Sequence, residues 1–455
     1  MPTDVPALLA ALDGVAATTD RALVRQKSRD FYWYSPILKA MLDGKAADVV
    51  LTPRDEAEVL RCMVACRAAG VPITARGAGT GNYGQCVPLE GGAVLDMTAM
   101  TGLRGIRDGV AELEPGVRML DADLWAREQG WELRLWPSTK RTATVGGFVA
   151  GGGAGVGGLS HGTLRERGNL HSLRVATLED PPRILDLAGD AAAPVNRTYG
   201  TTGVITLLRL PLTPAQAWQD IALTFEDFSA AGRFATALAH ADGIPKKMCA
   251  LFDPRLPPFF REIAGVVPAG HTLVVASVAP SALVAVADLA REHGSRIVAE
   301  QDTVEAERDP TRTPFYEYCW NHTTLQVLKR DRGFTYLQMR FPMDDPWPTV
   351  ERVRAAFPDD VWLHLECNRF GGRFAFTALP VIRWTGPERL AEIMAGMEAL
   401  GVAIANPHVV TIEDGSAYRR VDGDQLGFKR MADPLGLLNP GKMRSFERVT
   451  PRMTA

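Results

Sequence analysis

Alternation of apolar and polar positions first becomes regular near residue 46. Residues 47–51 read as a strand. Thr52-Pro53-Arg54-Asp55 follows with a cap residue, a proline at the first helical position and an acid in the first turn. Val59, Leu60, Met63 and Val64 then form an apolar stripe at helical spacing that ends at Gly70, and residues 71–75 read as a second strand. Strand, helix, strand predicts a parallel pair. A third strand is expected at 93–96, a short helix at 119–129 stopped by Gly130, and further strands near 173–177 and 204–210. Pro211 and Pro214 are expected to mark a boundary.

Beyond about residue 216 the texture changes. Helical periods at 228–240, 281–293, 349–356 and 387–400 alternate with strand-like runs at 272–278, 335–341, 361–367 and 373–379. This predicts an α/β or α+β domain whose sheet is covered on one face by helices. Residues 1–45 hold a Leu/Ala-rich amphipathic segment and an aromatic knot, Phe31-Tyr32-Trp33-Tyr34, expected to pack that segment onto the body. The resulting division is an N-terminal helical segment (1–45), a first domain (46–214), a second domain (215–405) and a turn-rich C-terminal segment (406–455).

Charge narrows the function classes. Fifty Lys+Arg against 53 Asp+Glu give a net charge of −3, which provides no electrostatic footprint for nucleic acid or an anionic membrane. The six cysteines are scattered, with no C-x-x-C. Cys62 and Cys66 are spaced to share a helix face. The N-terminal residues are acidic where a signal peptide needs a basic segment, and no run reaches the ~18 apolar residues of a membrane span. The expectation is a soluble, cytoplasmic protein in a reducing compartment.

Glycine is in excess, 43 of 455 residues, and clusters in two tracts. Gly79-Thr80-Gly81-Asn82-Tyr83-Gly84 fits G-x-G-x-x-G after a strand, but Pro88, Gly91 and Gly92 follow where a nicotinamide-binding fold would open a helix. Consecutive backbone N–H groups on such a loop can instead form an anion nest, with Arg76 at its edge; a plain structural turn is the other reading. The second tract, residues 144–158, is costly in backbone entropy, which points to close approach of something flat or phosphorylated. Gly158-Leu159-Ser160-His161-Gly162 matches the G-x-S-x-G of serine hydrolases but lacks the strand-to-helix turn that motif needs. There is no Walker A sequence and no H-E-x-x-H. His364 and Glu366 alternate on a predicted strand and could share a metal or a substrate, but no metal set is assigned. His322 sits in a polar-aromatic run, 316–324, that suits a pocket wall, and His408 lies in turn-rich sequence before Glu413.

Taken together, the stretch 49–97, Glu114-Pro115-Gly116-Val117, residues 143–147 and residues 199–206 resemble the FAD-binding PCMH-type domain of the vanillyl-alcohol-oxidase superfamily. The tail at 433–442, Asp-Pro-Leu-Gly-Leu-Leu-Asn-Pro-Gly-Lys, is similar to that of its glycolate-oxidase-subunit-D-like branch. The resemblance implies an α+β, two-domain fold with an α/β substrate (cap) domain and a C-terminal segment returning to the FAD domain. It implies FAD, with the pyrophosphate on Arg76, Gly77, Ala78, Gly79, Thr80, Gly81 and Asn82. Pro137, Ser138, Thr139, Thr142, Thr144, Gly146, Gly147, Gly151, Gly203 and Ile205 would line the remainder, and Asn439 and Lys442 would return from the C-terminal segment.

Two departures matter. Thr80 stands where covalent-flavin members often carry histidine, so dissociable FAD is expected. The branch's G-H-x-G-D-G-N-x-H metal motif is absent, and its later Glu-His-Gly reads Glu413-Asp414-Gly415. The expected function is an FAD-dependent oxidase or dehydrogenase that takes a hydride onto flavin from a small alcohol, hydroxy acid or amine. The alternatives are a C=C reductase and a flavin-binding subunit of a larger dehydrogenase. His322 is the first candidate base and His408 the second, with Tyr318 as hydrogen-bond donor and Arg340 and Arg369 as carboxylate clamps. The expected partners are a small-molecule substrate and an acceptor (oxygen, a quinone or a redox protein). A homo-oligomer is compatible with the sequence.

Overall fold

The computed structural model describes residues 4–12, 14–343, 345–415 and 421–446. The β-α-β unit forms as its pattern predicts. Strands Val49–Thr52 and Ile73–Arg76 flank Ala93–Asp96, both parallel to it, and Ala16–Thr18 adds an antiparallel edge. Helix Glu56–Ala68 opens at Asp55, whose carboxylate accepts the Glu58 N–H, and buries Val59, Cys62, Met63 and Cys66 against this sheet. A second, antiparallel sheet is organised by the eleven-residue strand Val204–Pro214, which pairs with Val110–Leu113, Ser172–Ala176 and, at its far end, Trp131–Leu133.

That strand corrects the expected stop at Pro211. The Leu212 N–H donates to Gly109 O, so the N-side of Pro211 faces the opposite edge, where the neighbouring strand has already ended at Ser172. A missing N–H costs nothing there.

In the second half an eight-stranded sheet runs in the order Arg296–Asp302, Gln219–Phe225, Thr272–Val278, Lys246–Phe252, His364–Phe370, Arg373–Ala378, Met339–Arg340, Ala403–Ile404. Every pairing in it is antiparallel, so of the two arrangements expected from the pattern the α+β one forms. Helices Phe228–His240, Leu283–Glu292, Trp347–Ala356 and Pro387–Ala399 cover one face. The other face does not meet solvent. Ala250, Phe252, Leu273 and Val275 join Leu133, Trp136, Val149 and Leu173 of the first half in one core.

Buried charges fasten this junction. Lys140 Nζ lies 2.8 Å from Asp123 and 2.7 Å from Glu307, Lys247 Nζ lies 2.7 Å from Glu132, and both ammonium groups sit over Trp136 at 4.0 and 4.3 Å. The hydrolase-like motif is structural. Gly157 in left-handed conformation starts the short helix Gly158–His161, and the Ser160 hydroxyl donates to Lys246 O at 2.5 Å.

Candidate functional site

The first glycine loop leaves the carboxyl end of strand Ile73–Arg76 and borders a cavity of about 230 Å³. Its other walls come from Thr144, Gly146 and Gly147, residues 150–154, Tyr199 and Gly200, and residues 203–205. No helix follows the loop, in keeping with its reading as a nest. Arg76 is folded beneath it: Nη1 donates to Arg29 O (2.5 Å) and Cys86 Sγ (3.3 Å), and Nη2 to Ala78 O (3.2 Å). A β-carbon at Gly77 would collide with Thr144 Oγ1, at Gly79 with the Arg76 guanidinium, and at Gly81 with Gln85 Oε1. Gly79 also has φ +69°, which side chains avoid. Thr144 caps helix Val145–Gly151, accepting the Gly147 N–H at 3.2 Å.

The C-terminal segment braces this loop without lining the cavity. Asn439 Nδ2 donates to Gln85 O (2.8 Å) and Tyr199 O (2.7 Å), and Lys442 Nζ donates to Gly84 O (2.6 Å). Asp30, in the N-terminal segment, lines the cavity with a buried Oδ2 that has no partner. Burial pushes its carboxyl up to about 6, and burial pushes Lys442 down to about 8. Nothing in the sequence around Asp30 marks it; it is placed by the helix before it and the aromatic knot after it.

A second cavity of about 580 Å³ adjoins the first and shares Thr80, Asn82, Tyr83, Pro137, Thr139 and residues 152–154 with it. Ser138 and Thr142 face this second chamber. Its far wall belongs to the second half: Trp320, Asn321 and His322, the strand Met339–Arg340, and residues 377–379 and 403–405. Arg165, Arg197, Arg340 and His322 line it, and among the described lining residues there is no carboxylate. Arg165, Arg197 and Gln338 carry no sequence motif and emerge only from the fold.

His322 is oriented across the junction. Its Nδ1–H donates to Glu317 O at 3.0 Å, which leaves Nε2 as the basic nitrogen. Glu317 is held in turn by a two-pronged pair with Arg141 of the first half, at 2.6 and 2.8 Å. Burial lowers the His322 pKa to about 4, so the ring is neutral at pH 7.

The other candidates lie elsewhere. Both ring nitrogens of His408 are engaged, Nδ1 with Ser35 Oγ (2.6 Å) and Nε2 with Tyr336 O (2.8 Å), outside both cavities. The Tyr318 hydroxyl accepts the Glu262 N–H at 3.0 Å, and its ring stacks on Phe260. Arg369 borders a separate cavity and pairs with Asp242 at 3.3 Å. Glu413 accepts the N–H groups of Arg444 and Ser445 and does not join His364 and Glu366.

Comparison with known proteins agrees with this geometry. Residues 47–180 match the family described as FAD binding domain. The glycolate oxidase subunit GlcD of Bacillus subtilis is 28% identical over 221 residues, 46% of each chain. The mitochondrial D-lactate dehydrogenase [cytochrome] of Arabidopsis thaliana is 31% identical over 174 residues, 36% of this chain and 30% of its own. The matched stretches thus span less than half the length of these relatives. An alkyldihydroxyacetonephosphate synthase structure superposes with a TM-score of 0.74 at 15% identity, covering 97% of this chain and 85% of that one. The chain therefore has the PCMH-type FAD-binding flavoenzyme fold, with FAD as its cofactor. Its sequence relatives within that class include glycolate oxidase subunits and D-lactate dehydrogenases.

The residues present fit that cofactor. The loop glycines bare their N–H groups, the orphaned Asp30 Oδ2 is an acceptor of the kind a ribose hydroxyl satisfies, and the buried Arg76 Nε still lacks a partner.

Proposed function

We propose that the chain is an FAD-dependent oxidoreductase that oxidises the hydroxyl-bearing carbon of a small anionic molecule, a hydroxy acid above all. The observation that carries this reading is the second cavity, where Arg165, Arg197 and Arg340 line the same chamber as a neutral histidine, beside the cofactor chamber. The relatives named for glycolate and D-lactate support the choice of hydroxy acid. FAD, when bound, supplies a two-electron acceptor for hydride.

The chain's own residues do the rest. Arg340, on the cap sheet, holds the carboxylate, and Arg197 adds to the field that draws it in. His322 takes the hydroxyl proton at Nε2 while Glu317 O fixes the ring. The apolar faces of Trp320, Leu325 and Leu379 exclude water. Among the described residues no helix is long and apolar enough to cross a membrane.

His322→Ala should keep its FAD and slow anaerobic bleaching of the flavin by hydroxy acids by ~100-fold or more; unchanged bleaching would remove His322 from the mechanism. Because the base works deprotonated and its pKa is lowered, kcat/KM in the wild type should rise with pH through about 4 and stay flat from there to neutrality. Arg340→Leu should act mainly on KM, raising it ~10–100-fold for anionic substrates and little for neutral alcohols. An equal effect on both would refute the clamp.

A further inference from the structure

We infer that the second half of the chain holds a zinc ion on Cys319 Sγ, His364 Nε2 and Glu366, behind the wall of the second cavity. The ligand atoms of these three residues lie within 4.8 Å of one another, and all three residues are buried. No established role of the chain uses them.

The proton inventory around His364 carries the argument. The Thr323 hydroxyl donates its one proton to Tyr318 O at 2.5 Å. At 2.9 Å from the Thr323 oxygen, His364 Nδ1 is therefore the donor, which leaves Nε2 as the nitrogen turned to the cluster. Nε2 stands 2.7 Å from Glu366 Oε1, yet makes no hydrogen bond there. The approach is oblique, and Oε1 already accepts the Trp320 N–H at 2.8 Å. A buried ring nitrogen that makes no hydrogen bond, a carboxylate and a thiol thus lie together in one cluster.

The surroundings fit a metal site. The His364 ring is stacked on Phe252 at 4.5 Å and 11°, which fixes the direction of Nε2, and Thr323 supplies the outer hydrogen bond that ligating imidazoles carry. One sulfur, one nitrogen and one oxygen ligand select zinc among common divalent ions. Loss of the thiol proton on binding makes the set neutral, two anionic ligands against two positive charges, as a fully buried site requires.

The position also gives the ion a task. Cys319 immediately precedes Trp320, whose φ of +51° is unusual for a large side chain. Trp320 and His322 both line the second cavity. The metal would tie this strained wall to strand His364–Phe370.

The test uses the FAD-loaded protein. Metal analysis after gel filtration should find about one zinc per chain. Replacement by cobalt(II) should give a thiolate-to-cobalt charge-transfer band. Cys319→Ser should lose that band while flavin absorbance reports an intact fold, and Thr323→Val should weaken zinc retention ~10–100-fold. Wild-type protein that neither contains zinc nor takes up zinc or cobalt from buffered solution would overturn the proposal, as would a cobalt band that survives in Cys319→Ser. Should the variants fail to fold, uptake and the cobalt spectrum of the wild type decide alone.

Discussion

The Gly79→Ala protein should fold and bind FAD at least ~100-fold more weakly than the wild type. Two costs coincide at this position. Its φ of +69° is a conformation that costs a non-glycine residue about 1–3 kcal/mol. Its β-carbon would also occupy the space of the Arg76 guanidinium. Arg76 cannot simply move aside, because its two Nη groups tie the loop to Arg29 O, Cys86 and Ala78 O. The damage therefore falls on the surface that faces the cofactor, while the sheet beneath is untouched. Gly105→Ala is the control, since a β-carbon there meets nothing within 4 Å. Flavin-fluorescence titration of both variants decides the matter. Wild-type affinity in Gly79→Ala would show that the loop does not grip the cofactor.

Lys140→Met should destabilise the whole chain by about 3–5 kcal/mol in urea unfolding. Lys140 is 1% exposed and its partners Asp123 and Glu307 are fully buried. Burial opposes the charge on Lys140, but Asp123 and Glu307 outweigh it and raise the ammonium's pKa. Burial would likewise raise Asp123, yet Lys140 and Arg127 hold it well below the usual carboxylate range. With the ammonium gone, two buried carboxylates lose their shared cation, Asp123 keeping Arg127 and the Leu133 N–H and Glu307 the Tyr316 hydroxyl.

The pH dependence follows from the sign of these shifts. In the wild type the depressed Asp123 contributes stability above its unfolded pKa, about 3.9, and loses it as pH falls toward the lower folded value. In the variant Asp123 has lost Lys140 and burial acts against Arg127 alone, so the carboxyl rises and its ionisation weakens the fold as pH increases through its folded pKa. The gap between the proteins should be widest near neutrality and narrow as pH is lowered toward about 4. A gap under 1 kcal/mol at pH 7 would mean that the junction rests on its apolar core.

What could be read from the chain alone depended on whether local chemistry and tertiary role agreed. The helix over 56–68 and the strands beside it announced themselves because stripe and alternation pointed one way, although the cap is Asp55 rather than Thr52 and Val64 of the stripe is exposed. The glycine loop was legible for the same reason. Strand Lys246–Phe252 was not: it opens on two lysines, and both are buried, Lys247 against Glu132 and Lys246 against the carbonyls of Ala241 and Ile244. Edge strand Arg296–Asp302 carries charges that hide its alternation. His322 and His408 were alike in sequence, each a histidine in polar surroundings. Only the fold distinguishes a ring with a spare nitrogen at a cavity wall from one whose two nitrogens are spent.

The brace on the glycine loop has a consequence for synthesis. Asn439 and Lys442 reach back 354 and 358 positions to Gln85 and Gly84. On the ribosome the loop is made long before residues 439–442 and waits without their brace until they emerge. The clasped form of the nest thus exists only once residues 439–442 have been made. A chain stalled or clipped before residue 439 would carry every glycine of the nest and still lack the clasp that closes it.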